Sequence, residues 1–443
     1  MYNIAIIGAG PAGYVAAQRA AEAGLKVILF EDRELGGVCL NEGCIPTKTL
    51  LYSAKLYTQS RESEKFGVQN DHTSFDYGKI LSRKDKVTRK LVGAIRVSMR
   101  NLGVETVKGH AVIEGGVKGN FTVSADGQSY CAENLLLCTG SHAFTPNLDW
   151  LDSDRIMTST GALELQEVPA SLAIIGGGVI GIEFASLFHA LGSEVTVFEL
   201  AGEILGPFDA DMAGALRETL IKQGIKFFLN GDEAGKAEVL KAEKVLLCIG
   251  RKPNVEGFGM ESVGLNANAR RAVEVDEHMR TAVPGIYAAG DITGQYMLAH
   301  CASREAEVAV NDILGLPDRM DYSAVPSAVY CKPEIASTGL TEKQALRRGI
   351  EYEVHKLPLT YSGRFVAETE RENGMCKIIC EKGGGKVLGL QILGGPASEM
   401  ISQGCLAIEN RMTLGALRKV IFPHPSVSEI IKETSWSAEV ESK

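Results

Sequence analysis

Twice in this chain an apolar strand runs into three glycines spaced G-x-G-x-x-G, then into a helix, then into a second strand that ends on a glutamate. The first unit has the strand 3–7, Gly8, Gly10 and Gly13, an Ala-rich helix to about residue 23 closed by Gly24, and the strand 26–30 ending at Glu31. The second has the strand 171–175, Gly176, Gly178 and Gly181, a helix to about residue 191, and the strand 194–198 ending at Glu199. Twenty-three residues separate the first glycine from the glutamate in both, a coincidence that a chance glycine cluster would rarely reproduce. Glycines in this spacing permit a tight turn and a close approach of backbone to a pyrophosphate, which settles at the positive end of the helix, and the glutamate accepts hydrogen bonds from a ribose. The expectation is an α/β chain with two Rossmann-like dinucleotide sites, and therefore an enzyme that moves electrons from one bound cofactor to another. Glu199 favours a free ribose 2′-hydroxyl, and Leu200, Ala201, Gly202 and Glu203 after it offer no arginine for a 2′-phosphate, so the second site should prefer NAD to NADP.

At 443 residues the chain is too long for one core, and roughly three or four domains of about 100–150 residues are expected. Its 45% hydrophobic and 23% charged content is that of a globular protein, and its net charge of −9 argues against a nucleic-acid footprint. The basic stretch 82–90 reads as a solvated helix face. No apolar run reaches the roughly 18–20 residues that span a bilayer, and residues 2–8 belong to the first strand rather than to a leader. A cytoplasmic chain that begins at its first strand is expected. Ten scattered cysteines do not resemble a secreted disulfide framework, and Cys131, Cys138, Cys248 and Cys380 lie in apolar runs, as buried small hydrophobes do.

Cys39 and Cys44 stand apart, within Gly36-Gly37-Val38-Cys39-Leu40-Asn41-Glu42-Gly43-Cys44-Ile45-Pro46-Thr47-Lys48. Residues five apart on an ideal helix point about 140° away from each other, so joining them needs a distorted turn, for which Gly43 supplies the backbone freedom. The sulfurs can bridge if the Cα atoms lie within about 7 Å, and such a bridge in a cytosolic protein is catalytic more often than structural. Two unrelated buried thiols are the alternative.

With this segment the chain resembles the class I pyridine nucleotide-disulfide oxidoreductases, and most of all the branch that oxidises dihydrolipoamide. Further matches cover essentially the whole length: Cys-Thr-Gly-Ser at 138–141, Ile-Gly-Arg-Lys-Pro-Asn at 249–254, Gly-Ile-Tyr-Ala-Ala-Gly-Asp at 285–291, Met-Leu-Ala-His at 297–300 and His-Pro-Ser-Val-Ser-Glu at 424–429. The resemblance implies FAD at the first site and NAD at the second, with Cys39 meeting the substrate and Cys44 the flavin. It makes Asp291, by itself a turn or helix cap, a ligand of the FAD ribityl or phosphate region. Ala111, Thr139, Gly140, Ser141, Met297, Leu298, Ala299 and Gly250 join it as cofactor contacts. Lys48, otherwise an ordinary solvated charge, is placed beside the flavin and paired with Glu183, where a cation stabilises negative charge on the reduced ring. No metal is expected.

His424 precedes Pro425, which favours an extended backbone, and a helix is expected from about residue 426 with Glu429 in its first turns. A carboxylate that fixes one imidazole nitrogen leaves the other free to take a proton from a thiol. Phe422 stands where members of the family often carry a further histidine.

The organisation expected is an FAD-binding domain at 1–142, an NAD-binding domain at 143–263, a central FAD segment at 264–324 and a C-terminal α+β dimerisation domain at 325–443. In that last domain strands 353–359, 375–380 and 387–392 precede helices 397–410 and 413–420. The segment 208–245 is short: beyond a helix at 212–223 little remains for the family's antiparallel hairpin. The resemblance also implies a homodimer in which His424 and Glu429 serve the other subunit's cysteines. Its partner would be the lipoyl domain of an acyltransferase or the glycine cleavage H protein. In the cycle that follows, a dihydrolipoyl thiol deprotonated by His424 attacks Cys39, lipoamide leaves, and Cys44 passes the electrons on through FAD to NAD. The alternatives are a reductase of another low-molecular-weight disulfide and a non-catalytic subunit of a multienzyme complex. Mercuric reductases fit poorly because the tail at 439–443 has no cysteine pair.

Overall fold

The computed structural model describes residues 1–369 and 372–438, so the tail at 439–443 lies outside the described residues. The chain divides into two compact units, one built from Met1–Thr49, Lys79–Thr145 and Gly250–Asp321, the other from Leu50–Gly78, Pro146–Ile249 and Tyr322–Lys443.

The first unit is built on a seven-stranded sheet. Strand Tyr2–Ile7 lies between Val27–Glu31, its parallel neighbour beyond the glycine turn, and the long strand Gln128–Leu137. Glu105–Lys108 extends the sheet past Val27–Glu31. The outer edge of Gln128–Leu137 is shared: its first half pairs antiparallel with Asn120–Ala125, its second half parallel with Ile286–Ala288. Four-residue apolar runs at Ile4–Ile7 and Val27–Phe30 are what a parallel strand covered on both faces requires. Ile4, Ile6, Ile28, Leu29 and Phe30 are at most 1% exposed, each worth about 1.5–3 kcal/mol of burial. Helix Pro11–Glu22 packs against helix Ala299–Ile313 through small residues.

The second unit carries the second repeat in an all-parallel sheet ordered Lys226–Phe228, Glu194–Phe198, Ser171–Ile175, Lys244–Leu247, Ile156–Met157. Where the family hairpin was in question, the chain instead forms helix Glu233–Lys241, capped by the Asp232 carboxylate, which accepts from the Ala234 amide at 2.9 Å. Gly235 lets this helix lie on Phe198 and Phe228, which a Cβ would approach to 2.6 Å. The same unit holds a five-stranded antiparallel sheet, Ser327–Val329, Ile335–Gly339, Val387–Leu393, Met375–Glu381 and Tyr352–Pro358, against which helices Ala397–Glu409 and Glu429–Trp436 pack. Lys377, with no exposed side-chain surface, ends among Asp209 at 2.8 Å, Asp211 at 2.9 Å and Glu342 at 2.5 Å.

Four local expectations change. The C-terminal helix begins at Glu429 rather than 426, because the Glu429 carboxylate accepts from the Ser426 amide at 2.8 Å and closes a turn ahead of it. The helix expected over 413–420 is the single turn Leu414–Leu417. Cys131 is exposed, since it lies on the outer half of Gln128–Leu137 where alternate residues face solvent. Within the basic stretch, Lys84 turns inward and is 5% exposed, while Arg83, Lys86, Arg89 and Lys90 face solvent. Among the described residues no helix is long and apolar enough to cross a membrane.

Candidate active site

The two glycine motifs superimpose residue by residue in what each glycine does. Gly8 and Gly176 turn with φ of 99° and 109°, and a Cβ on either would stand 2.3 Å from the carbonyl oxygen of Cys138 or Cys248. At Gly13 and Gly181 a Cβ would fall 1.8 and 2.1 Å from the carbonyl oxygens of Gly8 and Gly176, so helix and turn can touch only there. The middle glycines differ. Gly10 and Gly178 have φ of −69° and −75°, open to any residue. A Cβ on Gly178 would meet nothing within 4 Å among the described residues, and one on Gly10 only Gly37 Cα at 3.9 Å. Neither the backbone nor the packing needs glycine at these positions, and the space beside each is open to a ligand. Helices Pro11–Glu22 and Val179–Ala190 both start without a side-chain cap or an acidic first turn, which leaves their amides to an anion. The residues fit a dinucleotide pyrophosphate at each.

The glutamates are fixed in the same way. Glu31 accepts from the Ala9 amide at 2.8 Å and the Arg33 amide at 2.9 Å; Glu199 accepts from the Gly177 amide at 2.6 Å and the Ala201 amide at 2.8 Å. Burial pushes the Glu31 carboxyl upward against those two hydrogen bonds. Each carboxylate is thus held at the lip of its own glycine turn.

Cys39 and Cys44 sit on consecutive helices, Gly37–Asn41 and Cys44–Glu62, with a break at Glu42 and Gly43. The freedom is not supplied by Gly43. Gly36 and Gly37 carry the left-handed backbone, with φ of 98° and 58°, whereas Gly43 provides space, since a Cβ there would press on the Val38 carbonyl oxygen at 3.0 Å. Gly37 also seats the segment on the first glycine motif, where a Cβ would lie 2.6 Å from Gly10 Cα. The break turns the second cysteine back toward the first, and the two thiols hydrogen-bond. That hydrogen bond, burial and the nearby Cys44 sulfur raise the Cys39 thiol far above its usual range, while Lys48, a turn beyond Cys44, acts in the opposite direction.

Thr139, Gly140, Ser141 and Asp291 meet in one network. The Ser141 hydroxyl donates to the Asp291 carboxylate and accepts from Arg251 Nε at 2.7 Å, and Arg251 lies 3.9 Å from Asp291. Asn254 closes the far side: its Nδ2 donates to the Thr139 carbonyl at 2.8 Å, and its own carbonyl accepts from the Thr139 hydroxyl at 2.6 Å. Burial lowers the Arg251 guanidinium, and Asp291 partly offsets that. Asp291 is the first residue of a single 3₁₀ turn whose cap position is Gly290, and its side chain does not cap it, while Met297 and Leu298 are half-buried at the uncapped start of helix Ala299–Ile313. Ala111 is buried in the core beside this sheet, and Gly250 turns with φ of 120° before Arg251.

In the second unit His424 Nδ1 and Glu429 Oε1 lie 2.8 Å apart, with the His424 side chain 80% exposed. The Ser426 amide and His424 hold the Glu429 carboxyl below its usual range. Glu183 is buried on helix Val179–Ala190 and accepts from the Tyr330 amide at 3.0 Å.

Residues 2–306 match the pyridine nucleotide-disulphide oxidoreductase family, and residues 325–435 match its dimerisation domain. The chain belongs to this family. The dihydrolipoyl dehydrogenase of Geobacillus stearothermophilus is 38% identical over 97% of this chain and 94% of its own length, and that of Chlamydia muridarum 40% identical over 99% and 97%. Among solved structures, LpdA from Mycobacterium tuberculosis aligns with a TM-score of 0.88 at 28% identity, covering 98% of both chains. The HOCl-induced flavoprotein disulfide reductase RclA from Escherichia coli aligns with a TM-score of 0.85 at 28% identity, covering 98% of this chain and 100% of its own. As a pyridine nucleotide-disulphide oxidoreductase the protein is a homodimeric flavoprotein that uses FAD and NAD.

Three site residues of this oxidoreductase escaped the sequence reading. Arg251 and Asn254 lie inside a quoted motif, yet their partners Ser141 and Thr139 are more than a hundred residues away in sequence. Tyr14 follows Gly13 directly; burial, then the proximity of Cys39 and Cys44, raises its phenol. No periodicity flags a tyrosine on an apolar helix as facing thiols.

Proposed function

We propose that this oxidoreductase is a dihydrolipoyl dehydrogenase: it oxidises protein-bound dihydrolipoyl groups to the lipoyl disulfide with NAD as acceptor. The observation that carries the reading is the thiol pair itself, two cysteines from consecutive helices in hydrogen-bond contact and seated on the first glycine motif. Bound FAD supplies the two-electron relay between that pair and the nicotinamide.

The chain's own residues do the rest. With Cys39 and Cys44 joined as a disulfide, a dihydrolipoyl thiolate attacks Cys39 Sγ; the new S–S bond forms as the Cys39–Cys44 bond breaks, and Cys44 leaves as a thiolate. The second dihydrolipoyl sulfur displaces Cys39, so lipoyl leaves oxidised and the cysteine pair is left reduced. His424 takes the substrate proton at Nε2 while its Nδ1–H donates to Glu429. Its exposure in the single chain supports a role on the partner subunit's Cys39 and Cys44. Lys48 favours thiolate at the pair and, with Glu183, stabilises negative charge beside the flavin.

Glu31, Asp291, Ser141, Thr139, Gly140, Ala111, Met297, Leu298 and Ala299 hold FAD; Glu199, the second glycine motif and Gly250 hold NAD. The division proposed with these assignments is 1–142, 143–263, 264–324 and 325–443, with Gly250–Asp321 packing in the first compact unit. The partners are a lipoyl domain of an acyltransferase or a glycine cleavage H protein, and the scattered thiols support a cytoplasmic setting. Likeness to the RclA reductase favours, as a second reading, the reverse task of reducing another disulfide. An anaerobic titration of the FAD-loaded, oxidised enzyme tests the main reading. One equivalent of dihydrolipoamide per subunit should release lipoamide and create two titratable thiols on the protein; unchanged thiol content would refute it.

A further inference from the structure

In the antiparallel sheet, Glu353 and His355 lie on edge strand Tyr352–Pro358, and Cys380 lies on its neighbour Met375–Glu381, where it pairs directly with Glu353. Alternate residues of one strand share a face, and a paired residue on the next strand completes a triangle. His355 Nε2 is 3.3 Å from Glu353 Oε1, Cys380 Sγ is 3.4 Å from the same oxygen, and the three donor atoms all lie within 4.8 Å of one another.

The proton positions make this triangle unusual. His355 Nδ1 is 2.8 Å from the Ser437 carbonyl, which can only accept, so Nδ1 bears the hydrogen and a neutral ring presents its Nε2 lone pair to a carboxylate oxygen. Two lone pairs at that separation need a cation between them, a proton or a metal. The carboxylate is oriented by the Gly383 and Gly384 amides, which donate to it at 3.1 and 2.7 Å. An imidazole oriented by a carbonyl and a carboxylate oriented by amides are the outer contacts that metal ligands carry.

The spacing is compatible with a metal. A tetrahedron built on zinc's bond lengths to N, O and S has N–O and S–O edges of about 3.4 and 3.6 Å, within 0.2 Å of the two observed here. We propose that Glu353, His355 and Cys380 bind a zinc-class divalent cation, with water as the fourth ligand. The set of one thiolate, one imidazole and one carboxylate suits that class over calcium or magnesium. The side chains of Glu353 and His355 are only 12% and 7% exposed, while Lys382 and Gly383 in the adjoining turn are exposed and give a route in. The cation ties the edge strand to its neighbour and, through Ser437, to the end of the last helix.

Cobalt(II) is the probe, in the FAD-loaded homodimer carrying Cys39→Ser and Cys44→Ser so that the redox thiols cannot compete. One cobalt per chain is expected, with a thiolate-to-metal charge-transfer band and the intense visible bands of a tetrahedral site. Cys380→Ser should abolish the charge-transfer band. Glu353→Gln, which keeps an acceptor for Gly383 and Gly384, should weaken binding at least tenfold and serves as the test should the cysteine variant fail to fold. Either no cobalt bound, or the same cobalt spectrum in His355→Gln and Glu353→Gln, would overturn the proposal and leave a proton as the cation shared by His355 and Glu353.

Discussion

Lys48 and His424 divide the electrostatic work of the site. Lys48 is the cation that acts on Cys39 against its hydrogen bond and burial. Lys48→Met should slow electron transfer out of the thiol pair by about 10²-fold, read by stopped-flow absorbance of the flavin; an unchanged rate removes Lys48 from the chemistry. His424 needs Glu429 to fix its tautomer, and His424→Gln should lower kcat/KM for dihydrolipoamide by about 10²–10⁴. NADH oxidation by an artificial one-electron acceptor, which bypasses the thiols, should be unaffected; a parallel loss of both would contradict a base acting on substrate alone. Glu31, Glu199 and the cysteines were legible because each follows a local pattern. Arg251 and Asn254 were not, because their meaning lies in Ser141 and Thr139, to which only the fold brings them.

The two glycine turns allow a sharper separation of ligand from fold. Gly181→Ala forces a Cβ onto the Gly176 carbonyl at 2.1 Å and should destabilise the protein even without nucleotide. Gly178→Ala adds a Cβ that meets nothing at an ordinary φ, so the melting temperature of the nucleotide-free enzyme should hold while NAD affinity falls about tenfold or more. Equal effects on both quantities in both variants would show that the middle glycine is structural. Strand and helix positions around these turns followed from periodicity, and the strand 171–175 is found as Ser171–Ile175. What periodicity missed were ends set by single hydrogen bonds. Glu429 closing on Ser426 delays the last helix, and Asp232 capping Ala234 starts a helix where a hairpin was in question.

At the scale of the whole molecule, two charge clusters make contributions to stability that can be measured. Lys377 is fully buried among three carboxylates. Lys377→Met leaves the buried Asp209 and the half-buried Glu342 without their cation, Asp211 keeping its pair to Lys356, and should cost about 3–5 kcal/mol in urea unfolding; a loss below about 1 kcal/mol would mean the carboxylates take up protons or water freely. Asp318 adds a pH dependence of known sign. The Arg304 guanidinium lowers its carboxyl from 3.8 to about 2, with burial opposing and Asn311 assisting. A depressed carboxyl stabilises the fold above its unfolded value and loses that contribution as pH falls through the folded one. Asp318→Asn should therefore be less stable than the parent at pH 7, the gap narrowing below about pH 4 and closing only below about pH 2; a constant gap across that range would rule the linkage out. The two-cofactor organisation was visible in the repeat, whereas the Lys377 cluster was not, since residues 209, 211, 342 and 377 share no sequence signal.

Steady-state oxidation of dihydrolipoamide by the FAD-loaded homodimer, with NAD and NADP compared and Cys44→Ser beside it, reaches the central claim most directly. Rapid NAD reduction, much slower NADP reduction and loss of activity in the Cys44 variant are expected. No turnover of dihydrolipoamide, together with NADPH-driven reduction of another disulfide, would contradict both the substrate and the preference assigned to Glu199.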